Sequence, residues 1–472
     1  MVFSSLVFTF LFLPLVLVLH FAVRNIVYRN VLLLIASIGF YAYGEPDFVF
    51  VMLLSVAVNY LAALIIDRFR GGRIARLCMA LDVCTNLLIL YLFKYLDFSI
   101  DIMNRLFHAD LPAAGMVLPI GISFYTFQAL SYVIDVYRGK VCVQKNPLYI
   151  ALYISFFPQL IAGPIVRYTD IEKQIMNRTC SMELFSEGAV RFMLGFCKKI
   201  LLANNLSMVV LKAFSEDVTQ TNPLFLWLGS ICFSLQIYFD FSGYSDMAIG
   251  LGKLFGFRFG ENFNYPYISG SVTEFWRRWH ISLGQWFRDY VYIPLGGSRV
   301  RLPRHIMNIL IVWLLTGIWH GANYTFIVWG LGFFVMLVIE KMIVKPSERK
   351  NKAFLVFWRG ATLLCINFGW VIFNSPTIGE GVRYCLAMIG WFGNGPEIDG
   401  NILFCIREYR FFIVAGLLCS VPVSKKIKEK VDGTRWANIA TVIEALGYAL
   451  FFMWAVSFLL VGAHNPFIYF NF

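Results

Sequence analysis

Two histidines stand where chemistry is easiest to place. His280 closes the run FWRRWH, residues 275–280, and His320 closes TGIWH, residues 316–320, with Gly321 next. An imidazole titrates near neutrality, so it can take a proton from a hydroxyl and return it. His320 ends an apolar stretch, 306–319, with Gly321 as the expected C-cap. Lipid would not hydrate an imidazole there, so it faces an interior or a cavity. Burial favours the neutral form, the form a general base needs. The plainer alternative is a core histidine bonded to a neighbour.

Other chemistries fit the residues less well. The chain has no GxSxG, Walker loop or HExxH. His280 and His320 are forty residues apart with no third ligand in spacing, a weak metal pattern. Asp135, Asp240 and Asp246 are candidate proton-relay groups of a transporter, or, more simply, partners for buried polar backbone.

The elements around the histidines follow from periodicity. Placed on one helix, Phe275–Tyr290 puts Trp276, Trp279, Leu283, Trp286, Phe287 and Tyr290 on one face. Arg277, Gln285, Arg288 and Asp289 take the other, with His280 at the edge of the aromatic face. This predicts an interfacial helix with rings at headgroup level. Arg277, Arg278, Trp279, Arg288 and Trp319 are candidate ligand-binding residues. Arg299, Arg301 and Arg304 form a further basic cluster, suited to an anionic ligand or to setting topology.

The chain has 472 residues, of which 59% are hydrophobic and only 14% charged. Its mean hydropathy is +0.69. Soluble domains carry roughly 25% charged residues, so this is a multi-span membrane protein. No linker is visible, and residues 1–472 read as a single domain. The net charge of +12 lies largely in short basic loops, where it sets topology and meets membrane lipid, and it is no argument for nucleic acid. The ten cysteines form no CxxC and read as buried, reduced thiols.

Apolar runs of spanning length predict about eleven spans: 2–19, 31–43, 48–66, 80–96, 187–211, 224–239, 309–319, 326–344, 354–373, 411–423 and 439–461. The first is kept as a span rather than a removed signal. Segments 117–136 and 151–166 carry Pro, Gly and polar residues and read as re-entrant or cavity-facing, as does the broken stretch 254–263. Basic loops 68–76, 345–352 and 425–435 are expected in the cytoplasm. No tandem or inverted repeat is visible, which argues against a secondary transporter.

Five stretches thread most of the chain: LPIGISFYTFQ (118–128), FFPQLIAGPIVR (156–167), YFDFSGYSD (238–246), FWRRWHISL (275–283) and WHG (319–321). On these the sequence resembles the membrane-bound O-acyltransferase family, in its bacterial alginate O-acetyltransferase-like branch. The resemblance implies an all-α polytopic bundle around a transmembrane tunnel, with His320 as the catalytic histidine and His280 as its polar companion. It implies a cytoplasmic acyl donor, acetyl-CoA, and an exported cell-surface polysaccharide as acceptor. It also implies a bacterial inner-membrane location and a separate extracytoplasmic protein that completes polysaccharide acetylation. The related teichoic-acid D-alanylation branch shares WRRWH, whereas IPLGGSR, residues 293–299, and the longer C-terminal part favour acetylation. A polysaccharide or solute transporter is the alternative of another class; it would keep its flux without a base at residue 320.

Overall fold

The structure, a computed structural model, describes residues 2–392, 400–462 and 465. Among the described residues there are helices and no strand. Nine of the helices are long and apolar enough to cross a membrane. Two of the eleven expected spans fall short of that. The first is a π turn, Phe8–Phe12, running into the short α1, Leu13–Ala22. The second, Gly400–Cys419, carries Arg407, Glu408 and Arg410 near its middle. Contacts divide the chain into two compact units, residues 1–192 with 245–261, and residues 193–244 with 262–472.

The first unit holds α1, α2 (Ile26–Gly44), α3 (Val49–Arg68), α4 (Arg73–Lys94), α5 (Leu96–Phe107), α6 (Ile122–Tyr137), α7 (Pro147–Ser155), α8 (Phe157–Leu160) and α9 (Tyr168–Met176). Helix α6 is buried along nearly its whole length, Gln128, Ser131 and Asp135 included. The chain breaks at Phe156, and the loosened backbone finds partners: the Phe157 N–H donates to Ser37 Oγ at 3.1 Å, and Gln159 Nε2 donates to the Tyr153 carbonyl at 2.5 Å. Broken backbone buried against protein is the condition under which it survives at membrane depth.

Helix α10 (Met182–Cys197) continues through a π stretch, Lys198–Ala203, into α11 (Asn204–Ser215), and α12 runs unbroken over Pro223–Leu254. The sequence placed the end of that span at Asp240, but the helix passes through both Asp240 and Asp246. The carboxylates meet cations there: Lys199 Nζ lies 2.6 Å from Asp240 Oδ1, and Arg191 lies 2.6 Å from Asp246 Oδ1. Asp135 likewise faces Lys140, at 3.6 Å. Helices α10 and α12 approach closely through glycine. A Cβ on Gly250 would meet the Gly188 carbonyl at 2.7 Å, and one on Gly243 the Gly195 carbonyl at 2.8 Å.

The second unit continues with α13 (Val272–Arg278), α14 (Ile281–Phe287), a π turn Arg288–Tyr292, α15 (Leu302–His320), α16 (Tyr324–Ile339) with a π turn Glu340–Val344, α17 (Lys352–Asn374), α18 (Ile378–Met388), α19 (Gly400–Cys419), α20 (Val423–Val431) and α21 (Ala437–Leu460). Helices α15 and α16 form a tight antiparallel hairpin. A Cβ on Gly317 would meet the Phe326 carbonyl at 2.5 Å, and one on Gly330 the Trp313 carbonyl at 2.5 Å. No cysteine forms a disulfide among the described residues, but Cys84, Cys142 and Cys419 are exposed rather than buried.

Candidate active site

The helix expected over Phe275–Tyr290 is broken at its centre. Helix α13 stops at Arg278, Trp279 is extended, and His280 takes the left-handed conformation at φ 44°, ψ 55° before α14 begins. Segment 262–264 lies alongside and takes up the freed backbone. The Ile281 N–H donates to the Asn262 carbonyl and the Asn264 N–H to the Arg278 carbonyl, each at 2.9 Å. The predicted aromatic face is packed against protein rather than laid open along one side of a helix. Trp279, Leu283, Trp286, Phe287 and Tyr290 are all buried in protein, and Trp276 packs edge-on against Trp313 with centroids 4.9 Å apart.

The break fixes the chemistry of His280, which is 3% exposed. Asn262 Oδ1 lies 3.2 Å from the backbone N of Ser282, 2.9 Å from Ser282 Oγ and 3.2 Å from His280 Nδ1. A backbone N–H can only donate, so the amide atom facing it is the oxygen. His280 Nδ1 must then carry the proton, and Nε2 holds the lone pair. Nε2 is buried with no hydrogen-bond partner among the described residues. Phe241 and Trp319 pack edge-on to the ring, at centroid distances of 4.6 and 6.0 Å. Burial, and next the charge of a protonated His320, hold the imidazole well below its usual titration range.

His320 is the last residue of α15 and is 8% exposed. Its ring meets Trp329 and Phe373 edge to face, at 5.1 and 5.3 Å. Gly321 does not form the left-handed cap expected from sequence; it is extended, at φ −173°. What it supplies is room, because a Cβ there would collide with the Phe326 ring. The hairpin thus fixes His320 through close approaches that only glycine permits: the Phe326 ring at Gly321 and backbone at Gly317 and Gly330.

Both histidines line one cavity of about 570 Å³, a size typical of small-molecule sites. Of the other residues predicted from sequence, Arg277, Trp279 and Arg288 line it. Arg278 does not; it pairs with Glu274 at 2.8 Å and donates to the Asn264 carbonyl. Trp319 supports His280 from outside the lining, and Arg299, Arg301 and Arg304 are exposed away from it. Three participants were missed. Lys341 adds a third cation to the wall. Asn262 orients His280. Glu340, 2% exposed, accepts from the Val272 and Thr273 N–H groups at 2.6 and 2.9 Å and so anchors the start of α13. The signal for Glu340 and Lys341 was their charge inside an otherwise apolar run.

The cavity has direction. Gly330 packs level with Trp313 and Gly317, and Lys341 lies about 16 Å further along, just past the end of α16. His320 lies the other way, at the far end of α15. One end therefore carries Lys341, with Arg277 near it, and the other the buried imidazoles.

The sequence profile of the membrane-bound O-acyltransferase family matches residues 142–375. The chain is 39% identical to the probable alginate O-acetylase AlgI of Pseudomonas putida, across 100% of both chains. It is 32% identical to the peptidoglycan O-acetyltransferase of Helicobacter pylori, over 100% of this chain and 98% of the relative. It is 28% identical to the teichoic acid D-alanyltransferase of Bacillus subtilis, over 56% of this chain and 69% of the relative.

Proposed function

This chain belongs to the membrane-bound O-acyltransferase family, and we propose that it carries an acetyl group from cytoplasmic acetyl-CoA across the bacterial inner membrane for O-acetylation of an exported polysaccharide. It is a multi-pass membrane acyltransferase. The observation that carries the reading is a single cavity with two buried histidines on its wall and three cations, Arg277, Arg288 and Lys341, on the same lining. A phosphate-bearing donor enters with its phosphates at the cationic end and its thioester toward the imidazoles.

In this reading His320 takes the acceptor's hydroxyl proton as the oxygen attacks the thioester carbonyl carbon. The tetrahedral intermediate collapses with cleavage of the C–S bond. The thiolate leaves with the electron pair and takes the proton back from the imidazolium. The thioester is already activated, so no nucleophilic cysteine is needed; positioned proton transfer contributes typically about 10²–10⁴-fold. His280 holds a hydrogen bond to the reacting groups, and a separate extracytoplasmic protein completes delivery to the polysaccharide.

Acetyl transfer is favoured over D-alanyl transfer because the relatives named as acetylases align over the whole chain, whereas the D-alanyltransferase aligns over 56% of it. The test supplies radiolabelled acetyl-CoA to membranes from producing cells and follows label into polysaccharide. Label in wild type and none in His320→Gln is the expected result. Unlabelled product in wild type, with D-alanine incorporated instead, would reverse the choice of acyl group. Undiminished product in His320→Gln would remove the base.

A further inference from the structure

We propose that Asn262 is a positioning residue of the reaction: by accepting from His280 Nδ1–H, it fixes the tautomer in which Nε2 presents a lone pair to the acyl-transfer cavity. The inference rests on the acyltransferase reading above and adds a residue to it.

Three observations carry it. Asn262 is fully buried, and its Oδ1 gathers the Ser282 N–H, the Ser282 hydroxyl and His280 Nδ1 within 3.2 Å. The backbone donor fixes that atom as oxygen, so the hydrogen-bond direction at His280 is settled without reference to the ligand. The backbone of the same residue also holds the kink, since the Asn262 carbonyl accepts from the Ile281 N–H at 2.9 Å. Residue 262 thus sets both the turn on which His280 sits and the nitrogen that is free to act. A ring turned over would present a C–H, and the other tautomer an N–H, where an acceptor is needed. Orienting partners one shell out from a reacting imidazole are typically worth about 10–100-fold where measured in metal sites.

The charged and titratable groups around His280 are few. His320 on α15, Arg277 on α13, Arg288 in the π turn and Lys341 beyond α16 line the same cavity. Asp240, next to Phe241 on α12, is turned to Lys199. No carboxylate lines the cavity among the described residues, and burial keeps His280 neutral well below its usual range.

The experiment measures thiol release from acetyl-CoA in isolated membranes between about pH 5.5 and 9, per unit of inserted protein, for wild type, Asn262→Ala, Asn262→Asp and His280→Ala. Asn262→Ala should lose about 10–100-fold. Asn262→Asp keeps an acceptor of the same shape but places a carboxylate beside the imidazole, which favours the protonated ring. Its activity should approach wild type at the alkaline end, with the acid limb moved upward by about one pH unit or more. A purely structural asparagine would lower accumulation and leave the pH profile where it was. Asn262→Asp with a wild-type profile, or failing to insert, overturns the inference while His280→Ala remains inactive. Normal activity in His280→Ala would instead overturn the site itself.

Discussion

The glycine contact between α15 and α16 gives the sharpest test of how the site is held. Replacing Gly330 with alanine puts a Cβ 2.5 Å from the Trp313 carbonyl oxygen and 3.2 Å from Gly317 Cα. Ordinary contact begins at 3.4 Å, so the hairpin must open by about 0.9 Å at that level, because the obstruction is backbone and cannot rotate away. Overpacking of this kind costs about 1–3 kcal/mol. The larger effect is geometric. Trp329, beside the new methyl, packs on the His320 ring at 5.1 Å, so the displacement reaches the imidazole. A shift of about 1 Å in a catalytic group can lower a rate about 100-fold. We expect Gly330→Ala to insert, to accumulate at a modestly reduced level, and to lose about 10–100-fold in acetylation per inserted protein. Gly332→Ala is the control, since nothing lies within 4 Å of its Cβ. The assay is acetyl content of exported polysaccharide normalised to membrane-inserted protein. Full activity in Gly330→Ala, or equal damage from Gly332→Ala, would refute the argument that this contact positions His320.

His320→Ala and His320→Gln should both abolish acetylation with abundance nearly intact; acetylation by the glutamine variant would dismiss the base. Glu340→Ala leaves the Val272 and Thr273 N–H groups without their carboxylate, at about 1–3 kcal/mol for a buried unsatisfied group, and should lower thermal stability in detergent along with activity, whereas unchanged melting would place the α13 anchor elsewhere. Lys199→Met strands the Asp240 charge, for which about 3–5 kcal/mol is expected; Lys199→Met with Asp240→Leu should restore accumulation, and a double variant as poor as the single would contradict the pairing. His280 has its folded value lowered, so the unfolded chain binds the extra proton, and this residue should cost stability only as pH falls below about 6.5; a stability loss on raising pH from 7 to 9 that disappears in His280→Ala would reverse that sign. Arg73→Cys should react with impermeant maleimide only from the cytoplasmic side, and labelling from outside would invert the orientation.

Which parts of this were readable from sequence follows a physical line. His280 and His320 were legible because charge and polarity inside apolar runs are rare enough to stand out. The helices bearing apolar runs were legible for the same reason. The kink at His280 was not, because the residues that stabilise it, Asn262 and Asn264, sit upstream in what reads as a broken loop, and helical periodicity continues smoothly through the bend. Arg277 and Arg278 could not be separated, since one helical step sends the first to the cavity and the second to Glu274. Helix α12 seemed to end at Asp240 because the partners that accommodate its carboxylates, Lys199 and Arg191, come from another helix. Pairings across sequence distance, such as Asn262 with His280 and Lys199 with Asp240, leave no local pattern.

Helix α12 is 32 residues long, or about 48 Å, against a hydrocarbon layer of about 30 Å. Tilt alone would have to reach about 50° to hide that length, beyond the roughly 0–40° seen for spanning helices. The helix must therefore run on into a headgroup layer. Its most apolar window is 78% buried, so acyl chains touch little of it, and bilayer thickness has little surface on which to act. Host membranes of different chain length should thus strain the exposed helices, α4 and α21 above all, before they disturb the one that carries Asp240.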